Sequence, residues 1–216
     1  EMVARAISCT GVESIVDAQK TEDLFSDEFA EELAQVKMPI TKFNALLKLV
    51  RKAIRAYGRT NKVKAQEFDE RLRGVVETYN NRDKLQFTSE VVSDFVDDLS
   101  DQLIAIMRDL EVDKSSFAKM GITYEEKAFY DILVKVRDDH GFPYAEEKCV
   151  VLAREIAKLV NDKAQFADWS TREDIKSQLN MELTVLLYKN GYPPQWDEEV
   201  FEKVLEQAEN MKKNER

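Results

Sequence analysis

Residues 41–58 read TKFNALLKLVRKAIRAYG, and this stretch carries the pattern that decides the fold. Its apolar residues recur every three or four positions, which places their side chains on one face of an α-helix. Thr41 is suited to cap the start of that helix, and Gly58 is suited to end it. The stretch therefore predicts an amphipathic helix whose apolar face is Phe43, Leu46, Leu47, Val50, Ile54 and Tyr57.

The same spacing recurs along the rest of the chain. Further helical patterns follow Lys62, Thr88, Thr123, Gly141, Ser170 and Gly191. Two residue pairs have the spacing of a capping box, namely Thr123 with Glu126 and Ser170 with Glu173. In a capping box the side chain of the cap residue and that of the third helical residue each accept a hydrogen bond from the other's backbone N–H. No stretch alternates apolar and polar residues for long enough to predict a strand. The sequence predicts an all-α, irregular bundle of about seven to nine helices, either one unit or two lobes of approximately residues 21–113 and 114–216.

Composition supports a folded, amphipathic chain. Of 216 residues, 44% are hydrophobic and 34% are charged, and only six are Gly and four are Pro. Ordinary proteins contain ~7% Gly and ~5% Pro, so few positions here break a helix. Residues 1–20 show weak periodicity and include Thr10–Gly11. We expect them to be a lead-in from a preceding domain, extended or partly ordered.

Bulk chemistry limits the classes of function. The net charge of −10 argues against general coating of nucleic acid, which requires a surplus of Lys and Arg. Cys9 and Cys149 lie in no CxxC or Cys/His pattern, so we expect reduced thiols, without a disulfide or a zinc site. No apolar run approaches the ~20 residues that cross a bilayer. A cytoplasmic protein without membrane contact is predicted.

No complete catalytic pattern is present in the sequence. None of the glycines lies in a GK[ST] loop that would hold nucleotide phosphates, and the many acidic residues are expected on solvated helix faces. A di-iron bundle needs two Glu-x-x-His pairs, whereas His140 is the single histidine. His140, next to Gly141, fits the last turn of a helix, where a cation is favourable. We predict no catalytic, cofactor-binding or metal-binding residue in this chain.

Charged residues form two blocks of opposite sign. Residues 21–36 contain Glu22, Asp23, Asp27, Glu28, Glu31 and Glu32 and no base, whereas residues 37–66 contain nine bases and no acid. Solvated helices usually mix both signs for local pairing, so this segregation is informative. On the first predicted helix, a basic stripe lies opposite the apolar face. The basic stripe consists of Lys48, Arg51, Lys52, Arg55 and Arg59.

Two interpretations of the basic stripe remain open. It could meet DNA phosphates or an acidic partner, where several cations release counterions and steer association. Alternatively, it offsets acidic residues of the same fold, namely Asp94, Asp97, Asp98 and Asp101. The net acidity of the chain favours the second interpretation, and the acid-free run of 30 residues favours the first.

Three aromatic residues near breaks in the helical pattern are also candidates for function. Trp169, Tyr192 and Trp196 could anchor a partner or fill the core. Large aromatic side chains are more often buried, which favours the core.

A series of short motifs follows along the chain in a fixed order. The motifs are Phe25–Phe29 (FSDEF), Asn61–Ala65 (NKVKA) with Glu67–Phe68, Tyr79–Arg82 (YNNR), Thr88–Val91 (TSEV), Gly121–Thr123 (GIT) with Glu126, Ala128–Asp131 (AFYD), Asp168–Glu173 (DWSTRE) and Gly191–Pro194 (GYPP). This series resembles the C-terminal region of the R (restriction) subunit of type I restriction-modification enzymes. The resemblance covers residues 21–212. Several signatures in the same order are more specific than any single short motif.

The resemblance implies a role in a larger machine. A subunit of that family carries a nuclease domain and two motor domains that hydrolyse ATP, with Mg²⁺, to translocate and cut DNA. Its C-terminal helical region is expected to attach this subunit to the methyltransferase and specificity subunits. The nuclease and motor motifs are missing from this chain. The expected role is therefore non-catalytic assembly, with duplex DNA contact or an intramolecular brace for the subunit's own motor domains as alternatives.

Overall fold

The computed structural model describes residues 38–82, 89–163 and 172–214, and these residues form seven α-helices with no strand among them. The predicted all-α class is confirmed. The helices are α1 (Pro39–Gly58), α2 (Lys62–Asn80), α3 (Ser89–Lys119), α4 (Tyr124–His140), α5 (Glu146–Lys163), α6 (Glu173–Lys189) and α7 (Asp197–Asn214). A short 3₁₀ helix, Pro194–Trp196, precedes α7. The expected lead-in of residues 1–20 lies outside the described residues.

Local chemistry explains several of the helix ends. The first residue of α1 is Pro39, whose fixed φ suits a first helical position, and the helix ends at Gly58 as predicted. The predicted cap at Thr41 is wrong, because Thr41 is the third residue of the helix. The capping box before α4 is confirmed: Thr123 Oγ1 accepts the Glu126 N–H at 3.1 Å, and Glu126 Oε2 accepts the Thr123 N–H at 2.8 Å.

The capping box predicted at Ser170 and Glu173 is wrong. Glu173 is the first residue of α6, not the third, and Arg172 stands at the N-cap without a side-chain cap bond. Ser170 lies outside the described residues. The Arg172 guanidinium instead pairs with Asp174, Nη2 to Oδ2 at 2.5 Å, and this pairing lowers the pKa of the Asp174 carboxyl.

The described chain divides into two compact units, which we consider separately. Of the described residues, 38–56, 67–82 and 89–113 belong to the first unit, and 57–66, 114–163 and 172–214 belong to the second. Residues 57–66 thus group with the C-terminal helices. This short segment contains the connection from Gly58 to Lys62.

The first unit has a core formed by one face of each helix. Phe43, Leu99 and Leu103 are almost completely buried, and burial of such a side chain stabilises the fold by about 1.5–3 kcal/mol. The Phe43 ring stacks on the Tyr79 ring with centroids 4.0 Å apart. Lys42 Nζ pairs with Asp97 Oδ1 at 3.3 Å. Because one face of α1 is buried in this core, its opposite face is exposed to solvent.

The second unit packs α4 against α5 and α7, and α6 against the same two helices. Tyr192, in the turn after α6, is 1% exposed and lies in this core. Its hydroxyl donates to the Leu133 carbonyl at 3.0 Å, and its ring meets those of Phe142 and Tyr144 edge-on, with centroids 5.2 and 5.1 Å away. Burial raises the pKa of the Tyr192 hydroxyl. The side chain thus fills the core and satisfies its one polar group.

We predict that Tyr192→Phe lowers the free energy of unfolding by about 1–2 kcal/mol, because the Leu133 carbonyl loses its buried donor. The measurement is urea denaturation followed by circular dichroism. Tyr188→Phe is the matched control, since Tyr188 is 73% exposed, and we expect a change of less than about 0.5 kcal/mol. Equal effects of the two substitutions would contradict the assigned role of the buried hydroxyl.

Candidate interaction surfaces

The basic stripe lies on the solvent side of α1. Lys48, Arg51, Lys52 and Arg55 are exposed, and the buried residues of the same helix lie on its opposite face. Arg59 is also exposed but follows the end of α1, in the segment that groups with the second unit. The helical part of the basic stripe therefore consists of four cations that span about 10 Å at 1.5 Å per residue.

The acidic residues of α3 leave most of the basic stripe unpaired within the first unit. Asp97 pairs with Lys42, which is not part of the basic stripe. Within residues 38–82 and 89–113, no ion pair joins Arg51, Lys52 or Arg55 to an acidic side chain. The remaining candidate acids, Asp94, Asp98 and Asp101, are exposed. Three cations thus share one helix face without a neutralising partner there.

A second candidate surface is an apolar groove between α5 and α6. Leu159, Met181, Val185 and Leu186 contribute its apolar lining, and the groove has a volume of about 440 Å³. Its charged lining residues are Glu155, Lys158, Asp162, Glu182 and Lys189. Lys163 pairs with Glu182 at 2.7 Å, which neutralises part of this rim.

Several apolar side chains on these two helices are exposed to solvent. Met181 and Val185 are 62% and 46% exposed, and Tyr188, one turn further along α6, is 73% exposed. Val151, on α5, is 48% exposed. Scattered exposed apolar residues are ordinary, but exposed apolar residues that line a groove, as Met181 and Val185 do, are typical of a protein-binding surface. We call this set, together with the groove, the α5–α6 face.

The structure places the three candidate aromatic residues differently. Tyr192 lies in the core, and Trp169 lies outside the described residues. Trp196 is half-buried and stacks on the His140 ring, with centroids 3.5 Å apart and planes 10° apart. The Trp196 Nε1 atom is buried and has no hydrogen-bond partner among the described residues.

His140 is the last residue of α4, as its position before Gly141 predicted. Gly141 adopts φ 64°, a left-handed conformation that favours glycine and ends the helix. The His140 Nε2 atom lies 2.7 Å from Glu199 Oε2. The ring is therefore held between the Trp196 ring and a carboxylate of α7.

The sequence did not identify a buried ion pair on α4. Lys127 Nζ lies 2.5 Å from Asp131 Oδ2, and both residues are 3% exposed, although acidic residues were expected on solvated faces. The available signal was their position directly before two apolar pairs, Ala128–Phe129 and Ile132–Leu133. This spacing widens the apolar face until it encloses both charges.

The described residues form neither a metal site nor a membrane span. Among the described residues, no group of three or more His, Cys, Asp or Glu side chains could hold a metal ion. None of the described helices is sufficiently long and apolar to cross a membrane.

Cys9 lies outside the described residues, and Cys149 is a free, fully buried thiol on α5. Burial raises the pKa of the Cys149 thiol to about 11.

We predict that Cys149 resists alkylation at pH 8 in the folded protein, because the reactive thiolate is scarce when the pKa lies well above the pH. The measurement is iodoacetamide labelling of a Cys9→Ser variant, in which Cys149 is the remaining thiol. Labelling should proceed in denaturant and slow by more than about tenfold without it. Rapid labelling of the folded variant would be inconsistent with the buried position.

Comparison with known proteins places this helical chain in a family. It belongs to the family described as "Type I restriction enzyme HindI endonuclease subunit-like, C-terminal", which matches residues 1–214. The resemblance inferred from the sequence motifs is thereby confirmed. No solved structure matches the chain.

Two relatives show how the chain compares with longer proteins. The HindI endonuclease subunit of a type I restriction enzyme from Haemophilus influenzae is 26% identical over 218 residues, covering 98% of this chain and 19% of the relative. A protein of Methanocaldococcus jannaschii, provisionally named as the MjaIXP endonuclease subunit of such an enzyme, is 26% identical over 195 residues, covering 88% of this chain and 18% of the relative. The chain therefore spans less than a fifth of the length of these relatives.

Proposed function

We propose that this chain is the assembly region of a type I restriction enzyme endonuclease subunit. In this proposal it docks the ATP-dependent, DNA-translocating part of the subunit onto the methyltransferase and specificity subunits. It performs no catalysis itself and works in the cytoplasm. ATP and Mg²⁺ serve the rest of the subunit, and no cofactor binds here. Family membership is the observation that carries the proposal.

The α5–α6 face supports this proposal and suggests where the contact lies. An interface between subunits needs apolar side chains that a partner can cover, with polar residues around them. Met181 is flexible and polarisable, so it adapts to a partner surface, and Tyr188 offers a large rigid ring at little cost in conformational entropy. We assign the α5–α6 face to the methyltransferase-containing core.

Val185→Asp tests this assignment. Since Val185 is half-exposed, the variant should fold, but a carboxylate would be buried on binding, and the dissociation constant should rise by about tenfold or more. The measurement is isothermal titration calorimetry of the chain with the purified methyltransferase complex. Val112→Asp is the matched control, because Val112 is an exposed helical valine of the first unit.

Failure of the folded wild-type chain to bind the complex would count against assembly itself. Equal affinities of Val185→Asp and Val112→Asp would instead rule out only the α5–α6 face. The two results therefore separate the proposed function from the proposed surface.

A second candidate function is contact with duplex DNA through the basic stripe. The supporting observation is that Arg51, Lys52 and Arg55 are exposed and have no ion pair within the described first unit. Over the ~10 Å that the helical stripe spans, each DNA strand presents about three phosphates. Phosphate contacts of this kind position a protein on DNA without reading its sequence.

Neutralising two stripe cations tests DNA contact. With Lys52→Gln and Arg55→Gln together, the slope of log K against log salt concentration should fall in magnitude by about 2, because each phosphate contact contributes ~0.9. The measurement is fluorescence anisotropy with a labelled duplex between low and moderate salt. Lys119→Gln with Lys158→Gln removes the same charge from exposed positions outside the stripe. If the slope of log K against log salt concentration is the same for both double variants, the basic stripe has no role in DNA binding.

A further inference from the structure

Residues 58–62, which connect α1 to α2, are held by side chains rather than by a conventional turn alone. Asn210 Nδ2 donates to the carbonyl oxygens of Gly58 at 2.8 Å and Arg59 at 3.1 Å. Gln207 Nε2 donates to the Thr60 carbonyl at 2.8 Å, and Gln207 Oε1 accepts the Lys62 N–H at 2.9 Å. Both α7 side chains thus hydrogen-bond to backbone atoms more than 140 residues earlier in the chain.

These contacts answer a specific backbone requirement. The last carbonyls of a helix and its first N–H groups have no partner within the helix. Here the carbonyls at the end of α1 and the first N–H of α2 find partners on α7. Gln207 is 1% exposed, so its amide is fully committed to this segment. The contact depends on backbone geometry and not on the side chains of Gly58, Arg59 or Thr60.

Asn61 supplies a further contact of this segment and is itself buried, at 2% exposure. Its Oδ1 accepts the Lys64 N–H at 3.1 Å, which caps the start of α2. Its Nδ2 donates to Asp131 Oδ2 at 2.5 Å, and the same Asp131 carboxylate pairs with Lys127. Asn61 therefore connects the segment to the buried ion pair of α4. We call the side-chain amides of Asn61, Gln207 and Asn210 the amide clamp.

The segment of residues 57–66 relies strongly on this polar contact. Its buried apolar residues are Tyr57 and Ala65, with Val63 partly buried against the core, whereas 19 buried residues form the core cluster of the second unit. Hydrogen bonds contribute little net stability because water replaces them when a segment opens, whereas apolar burial has no such replacement. A segment of this kind opens before the core around it.

We infer that the amide clamp is a releasable lock: residues 57–66 detach from the second unit as one segment while its helical core stays folded. The amide clamp fixes the conformation of the segment, and the apolar core supplies most of the stability. Because all three amides hold one short segment, the loss of any of them weakens the whole contact. Asn61 determines closure, since its amide must meet a buried carboxylate.

Hydrogen–deuterium exchange on the complete chain tests the lock. In the wild type, amides of residues 58–66 should exchange faster than those of the core helix α6. Gln207→Ala should accelerate exchange within residues 58–66 by about tenfold, with α6 unchanged, because the Lys62 N–H loses its acceptor. Gln178→Ala, an exposed glutamine on α6, is the matched control and should leave residues 58–66 unchanged.

The Asn61→Asp variant provides an independent test, because aspartate and asparagine side chains have almost the same shape. An aspartate still caps α2, but its second oxygen faces the Asp131 carboxylate, so the amide clamp should open with a similar acceleration in residues 58–66. Asn44→Asp, at an exposed position of α1, is its control. The inference is overturned if neither clamp variant alters exchange in residues 58–66. It is equally overturned if α6 accelerates by the same factor, because the segment would then open only with the whole unit.

Discussion

The fold depends on one constraint, the burial of a single apolar face on each amphipathic helix. A helix exposes one side to water whenever its other side packs. Apolar and polar residues must therefore occupy positions that project from opposite faces of each helix. On α1 this sorting places Phe43 and Leu46 in a core and the basic stripe in solvent. The same separation on α5 and α6 is incomplete, because apolar residues remain on the outer side. Surfaces available for recognition are thus a direct result of how strictly each helix separates its faces.

Gly58 marked the end of α1 correctly, and the period of the apolar residues was sufficient to predict the all-α class. It was less informative at the borders of each face. At 3.6 residues per turn, Leu47 projects about 50° to one side of the centre of the predicted apolar face and Leu49 about 110° to the other, yet Leu49 is fully buried and Leu47 only half-buried. Which border is covered depends on the position of a neighbouring helix, which periodicity does not contain.

Buried polar residues were the larger omission. Lys127 and Asp131 have the i, i+4 spacing of an ordinary solvated pair, and Asn61 has the position of an ordinary helix cap. Only the approach of α4 to residues 57–66 brings the three together. The Asn61–Ala65 and Ala128–Asp131 motifs, which carried part of the family resemblance, therefore meet in space. Their side chains serve a structural contact, so motif recognition identified the family without revealing what the residues do.

The amide clamp has a consequence for biosynthesis. Lys62 and its hydrogen-bond partner Gln207 are 145 residues apart in sequence. A ribosome adding ~5 to 20 residues per second needs roughly 7 to 30 s to synthesise that interval. During this time the carbonyls at the end of α1 lack their partners on α7. The hydrogen bonds between α7 and residues 57–66 can therefore form only late in synthesis, after α7 has left the ribosome.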